Sequence, residues 1–340
     1  MTRAEASRIF GVGISGPTLL LEEREALERF PPRAVILFKR NIESVEQVIE
    51  LTSSIRELPG RPLLCVDLEG GPVDRFRDLL GRSISFREAA ERGVARRAGE
   101  LAGEACSRLG FDVNLAPVVD RLLPGASERV LRDRCASAEP AAIARAASEF
   151  LAGLHATGVG GCVKHFPGLG RADLDTHKDL PLIPPDAGEE ERDLAPFVAT
   201  MEEAGAVMIS HAAGPDGIPA SLSKEKATTL LRSRLGFEGA AFSDDLEMGA
   251  LSAFGGMPQR VAAAARAGCD LLFVCSRIAE YSACVGEVAS TVPPGRIAEA
   301  FERLDAYARS VDSLRKHAPF GFRTRPIAAL TADIAGLREA

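Results

Sequence analysis

The chain has 340 residues, 46% hydrophobic and 26% charged, with a net charge of −7, no tryptophan and 5% aromatic residues. That length and apolar share suit one barrel-sized domain. The acidic balance argues against a nucleic-acid or acidic-membrane surface. Seven cysteines (Cys65, Cys106, Cys135, Cys162, Cys269, Cys275 and Cys284) lack C-x-x-C spacing, and several sit in apolar stretches. They read as reduced thiols of a cytoplasmic protein, with neither a disulfide frame nor a cysteine metal site.

The first apolar stretch, IFGVGISGPTLLL (9–21), follows a mixed-charge start and is broken by Pro17. No small-residue cleavage site follows, and nothing approaches the roughly 18 apolar residues that span a bilayer. RIFGVGIS (8–15) therefore reads as a first strand. Its formal G-x-G-x-x-G match (11–16) lacks the acidic strand end of a dinucleotide site. Further strands are predicted at 34–38, 63–69, 111–120, 161–166, 206–211, 239–245 and 270–275. Their continuous hydrophobicity suits strands buried on both faces of a parallel sheet. Helical patterns fall between them, as in SVEQVIELTSSIREL (44–58), AAIARAASEFLAGLHATG (141–158) and PQRVAAAARAG (258–268). A last helix over about 296–316 places Ile297, Phe301, Leu304, Ala308 and Val311 on one face. Alternating strands and helices predict an α/β protein with a (β/α)₈ TIM-like barrel, an open doubly wound sheet being the alternative. No linker divides the chain, so 1–340 reads as a single domain with 318–340 as a C-terminal tail.

Charged and polar residues gather at the predicted C-terminal strand ends: Asp67 and Glu69, Asp120, Lys164 and His165, His211, and Asp244 and Asp245. In a barrel that rim holds the active site, although one acid at a strand end is often only a helix cap. KHFPGLGRADLDTHKDLP (164–181) is the richest segment. Asp175 and His177 are spaced to meet as a dyad in which the carboxylate orients the imidazole for general acid work. A turn-capping Asp175 with a solvated His177 is the plainer reading of the same spacing. His165, Asp175 and His177 also match a two-histidine, one-carboxylate metal site, but Lys164 would then stand beside a cation. The expectation is no metal and no cofactor.

The motifs VILFKRNI (35–42), VDLEGGPVDRF (66–76), NLAPVVD (114–120), KHFPGLG (164–170), DTH (175–177), PASLS (219–223), LGFEGAAFSDDLEMGAL (235–251) and AGCDLLFVC (267–275) occur in that order. Together they resemble glycoside hydrolase family 3, specifically its single-domain β-N-acetylglucosaminidases. The resemblance implies a barrel and a retaining hydrolysis through a covalent glycosyl-enzyme. It implies Asp244 as nucleophile, His177 as acid/base and Asp175 as the residue that orients it. Asp67, Lys164 and His165 are implied as sugar contacts, Arg134 in VLRDRCA as a binding arginine, and Arg75 and His211 as supports of the site. Glu69 and Asp120 are assigned to the framework.

A rival mechanism would use the substrate's acetamido group with Asp244 and Asp245 as a carboxylate pair. Neighbouring strand residues point to opposite sides, so Asp245 is expected to face away from the pocket. The partner implied is a small carbohydrate, with removal of β-linked N-acetylglucosamine from cell-wall fragments as its setting. Phosphorolysis, and amino-sugar binding without useful turnover, are the alternatives. Leu68, Pro72, Arg132 and Leu169 depart from the family pattern beside these motifs. Oligomeric state is not legible.

Overall fold

The apolar runs become short parallel strands in which every residue is buried: β1 (Phe10–Gly13), β2 (Ala34–Leu37), β3 (Leu63–Val66), β4 (Val113–Asn114), β5 (Gly160–Gly161 and Val163–Phe166), β6 (Ala206–Ile209), β7 (Ala240–Ser243) and β8 (Leu272–Val274). The computed structural model describes residues 1–124, 131–172, 180–319 and 325–339. Burial on both faces explains why the sequence shows continuous rather than alternating hydrophobicity.

One sheet runs β8–β1–β2–β3–β4 and takes in the first piece of β5; the second piece of β5 opens another, β5–β6–β7. All these pairs are parallel. The two sheets also meet at the other edge. Phe242 of β7 bridges Leu271 just before β8, and the Ser243 N–H donates to the Leu271 carbonyl at 2.8 Å. Strand order thus returns to where it began, in the TIM-barrel-like arrangement expected.

Helices cover the outside. Ser44 caps Val45–Arg56 by accepting from the Gln47 N–H at 3.1 Å, and Pro140–Ala156 packs along Ala95–Arg108. Helix Pro294–His317 buries Ile297, Leu304 and Val311 as its periodicity predicts, and adds Ala300 and Tyr307. The Tyr307 hydroxyl donates to the Gly161 carbonyl at 2.8 Å, fastening that helix to β5. Within the predicted tail, Ile327–Glu339 is a helix resting on Ala95–Arg108, with Leu330 and Ile334 buried. Arg97 pairs with Asp333 at 2.6 Å, and Arg92 donates to the Leu337 carbonyl at 2.7 Å. No helix among the described residues is long and apolar enough to cross a membrane.

One element escapes the sequence reading. The third strand was expected to reach Glu69, but β3 ends at Val66, and Leu68–Gly70 pairs antiparallel with Val73–Asp74 as a small hairpin on the rim. Gly70 makes its turn possible: its φ is +83°, and a Cβ there would lie 2.0 Å from the Ile84 carbonyl oxygen.

Candidate active site

The C-terminal strand ends, the hairpin and the turn Arg132–Arg134 enclose one polar cavity. Its wall includes Asp67, Glu69, Arg75, Arg134, Lys164, His165, Asp244 and Asp245, with Phe38, Leu169 and Cys275 as less polar patches.

A continuous chain of charge-assisted contacts joins the ends of β3, β4 and β5 by way of the hairpin and the Arg132–Arg134 turn. Lys164 Nζ lies 2.7 Å from Asp67 Oδ1 and 2.6 Å from Glu69 Oε1. Arg134 grips Glu69 with two bonds, Nε to Oε2 at 2.7 Å and Nη2 to Oε1 at 3.1 Å. The same Nη2 donates to His165 Nε2 at 3.2 Å, and His165 Nδ1 meets Asp120 Oδ2 at 2.7 Å. At the other end Arg75 Nη2 stands 3.5 Å from Asp67 Oδ2, beside the ring of Phe38. Planar bidentate pairing of this kind fixes orientation as well as charge.

Burial alone would raise the Glu69 carboxyl, but Arg134 and Lys164 hold it far below the usual carboxylate range. Burial likewise works against the Lys164 ammonium, and Asp67 and Glu69 outweigh it, so Lys164 stays charged. Glu69 has its oxygens taken by Arg134 and Lys164, whereas Asp67 keeps 14% of its side-chain surface in solvent. Glu69 is therefore suited to holding the two cations, and Asp67 to meeting a ligand.

Asp244 follows directly on β7. Its own N–H donates to the Ile209 carbonyl at 3.0 Å, and its Oδ1 accepts the Asp245 N–H at 2.8 Å. Burial pushes its carboxyl upward; the His211 and His165 rings when they carry a proton charge, the Asp245 N–H and Lys164 act against that and bring it below the ordinary aspartate value. The cavity thus presents an ionised carboxylate at the end of one strand. Asp245 behaves in the opposite way. Burial, aided by the neighbouring Glu247 and Asp244 carboxylates, raises it to about 7, against bonds from the Glu247 N–H and the Cys275 thiol.

The expected residues are brought together unevenly. Asp67, Arg75, Arg134, Lys164, His165 and Asp244 share the cavity wall. His211 is fully buried behind that wall, with Nδ1 2.7 Å from Ser221 Oγ and Nε2 donating to the Asp245 carbonyl at 2.8 Å. Asp175 and His177 lie outside the described residues. The expectation that Asp245 faces away is corrected: it lines the cavity with Asp244. Strand alternation does not reach it, because β7 ends at Ser243.

Sequence reasoning also missed Phe38 and Cys275 as wall residues. Both stand at predicted strand ends, the signal that marked the acids. Of the departures, Leu169 lies on the wall, Leu68 is buried in the hairpin, and Pro72 and Arg132 are exposed.

Comparison with known proteins gives a consistent result. The model of the Glycosyl hydrolase family 3 N terminal domain matches residues 20–314. A β-hexosaminidase of Xanthomonas oryzae pv. oryzae is 38% identical over 278 residues, covering 78% of this chain and 82% of the relative. One from Stenotrophomonas maltophilia is 38% identical over 279 residues, with the same coverage. Among solved structures, NagZ from Neisseria gonorrhoeae, in complex with N-trifluoroacetyl-D-glucosamine, superimposes with a TM-score of 0.82 at 28% identity, covering 98% of both chains. A family 3 β-N-acetylglucosaminidase from Paenibacillus sp. FPU-7 gives a TM-score of 0.86 at 25% identity, over 98% of this chain and 68% of that one.

Proposed function

The chain belongs to glycosyl hydrolase family 3 and is a glycoside hydrolase; from that premise we propose that it is a retaining β-N-acetylglucosaminidase. It removes terminal β-linked N-acetylglucosamine from small glycosides or cell-wall fragments in the cytoplasm, with 1–340 as one catalytic unit. The observation that carries this reading is the Asp244 carboxyl group at the end of β7, on the same cavity wall as the Asp67–Lys164 pair. The β-hexosaminidase and β-N-acetylglucosaminidase names of the relatives supply the sugar.

In this mechanism Asp67, Lys164, Arg134 and Arg75 bind sugar hydroxyls, with His165 beside them and His211 supporting Asp244 from behind. The Asp244 carboxylate attacks the anomeric carbon as the glycosidic bond breaks, forming a glycosyl-enzyme. His177, oriented by Asp175, gives its proton to the departing oxygen. It then takes a proton from the water that attacks the same carbon and releases Asp244. The route requires no cofactor.

The test is release of nitrophenol from 4-nitrophenyl N-acetyl-β-D-glucosaminide by wild-type protein and Asp244→Asn, with the first-formed anomer read by NMR. The expected outcome is β-anomer product, and loss of roughly 10³-fold or more in turnover by a folded Asp244→Asn protein. Near-normal turnover by that variant sinks the nucleophile assignment. An α-anomer as first product sinks retention. No turnover by folded wild-type protein moves the weight to another sugar or to a binding role.

A further inference from the structure

We propose that Asp120 is a positioning residue of the sugar subsite: it fixes the His165 ring with its proton on Nδ1, and so makes Nε2 the acceptor against which Arg134 is set. Asp120 follows β4 and is 1% exposed. Its Oδ2 meets both the His165 backbone N–H at 3.1 Å and ring Nδ1 at 2.7 Å, and its Oδ1 accepts the Leu169 N–H at 2.7 Å. An ionised carboxylate only accepts, so the ring nitrogen facing it must donate. At the other side of the ring Arg134 Nη2 lies 3.2 Å from Nε2. A guanidinium only donates, so that nitrogen must accept. The two constraints arise at opposite ends of the ring and select the same tautomer.

The choice has a consequence for binding. An unconstrained histidine side chain in water favours the proton on Nε2, and in that form it would turn an N–H towards the Arg134 N–H. Asp120 prevents this, and His165 then stops the Arg134 fork from turning about its bonds to Glu69. If the cavity binds a sugar as proposed above, on which this part rests, the single Nε2 lone pair is already taken by Arg134, and a hydroxyl meets the Arg134 fork in the orientation that His165 gives it.

The experiment is long-range ¹H–¹⁵N spectroscopy of ¹⁵N-histidine protein in mildly alkaline buffer, with His165 among the five histidines assigned by loss of its signals in His165→Gln. The expected spectrum has the proton on Nδ1; a proton on Nε2 overturns the proposal outright, whatever any variant does. In folded Asp120→Ala only the Arg134 contact still favours the Nδ1 proton, so a mixture of the two tautomers should appear, and KM for the chromogenic glucosaminide should rise about 10-fold or more with kcat less affected. A folded Asp120→Ala protein that keeps the Nδ1 proton and a KM within about twofold of wild type also overturns it. Absence of wild-type turnover would sink the sugar reading alone, because the spectrum reads the tautomer without substrate.

Discussion

Lys164 Nζ lies 2.6 Å from Glu69 Oε1, with side chains only 3% and 1% exposed. Two ions withdrawn from water this far are held by each other and by their further partners, Asp67 and Arg134. Removing one member leaves the rest buried with uncompensated charge. Glu69→Gln is therefore expected to cost about 3–5 kcal/mol of stability, measured by denaturant unfolding. It should also weaken sugar binding, since Arg134 and Lys164 lose their common anchor. The native Glu69 carboxyl titrates far below the ordinary range. Its contribution is present above about pH 4 and is lost as pH falls below that. Stability of the wild-type protein should thus fall more steeply in acid than that of Glu69→Gln. Parallel pH profiles for the two would contradict this.

Asp245 gives the reverse dependence. Its carboxyl is raised to about 7 in the native state, against about 3.9 in an unfolded chain. The folded protein therefore binds an extra proton between those values, and its stability declines as pH rises through that window. Asp245→Asn should be more stable than wild type at pH 8 and lose this advantage in acid, as read from unfolding midpoints. Asp245 also acquires charge beside Asp244 as pH passes about 7. The alkaline limb of kcat/KM should accordingly shift upward in the variant, and an unshifted limb would detach Asp245 from the reaction.

His177→Ala should damage substrates with poor leaving groups most, because a good leaving group departs without a proton. A series of substituted phenyl N-acetyl-β-glucosaminides gives the measurement. Equal losses across the series would remove His177 from the acid role.

Water, not phosphate, is the acceptor in the proposed reaction. Adding inorganic phosphate at constant ionic strength should leave the rate unchanged and yield free N-acetylglucosamine. A sugar 1-phosphate product would reassign the protein as a phosphorylase.

The strands were legible because double-sided burial writes a plain signal, a short apolar run with an acid or base at its end. The hairpin at 68–74 was not, since LEGGPVD has no β-branched run and its geometry rests on Gly70 and Gly71 at positive φ. Asp67, Lys164, His165 and Asp244 could be placed on one rim from their strand ends alone. Glu69 could not be recognised as the anchor of the site, because its partners stand 65 residues away at Arg134 and further off at Lys164. Pairing across a barrel depends on which strands become neighbours, and local sequence does not carry it. Asp245 was misjudged for a smaller reason: the alternation rule was carried two residues past the end of β7.

All seven cysteines are free and buried, and Cys275 is the one on the described cavity wall. The protein therefore carries its own occupancy reporter. Cys275 is 2% exposed and borders the space that a sugar would fill, and burial together with the nearby Asp245, Glu247 and Asp244 carboxylates keeps that thiol protonated and slow to react. The labelling rate of Cys275, followed by mass spectrometry, can then report ligand affinity for glycosides that are never cleaved.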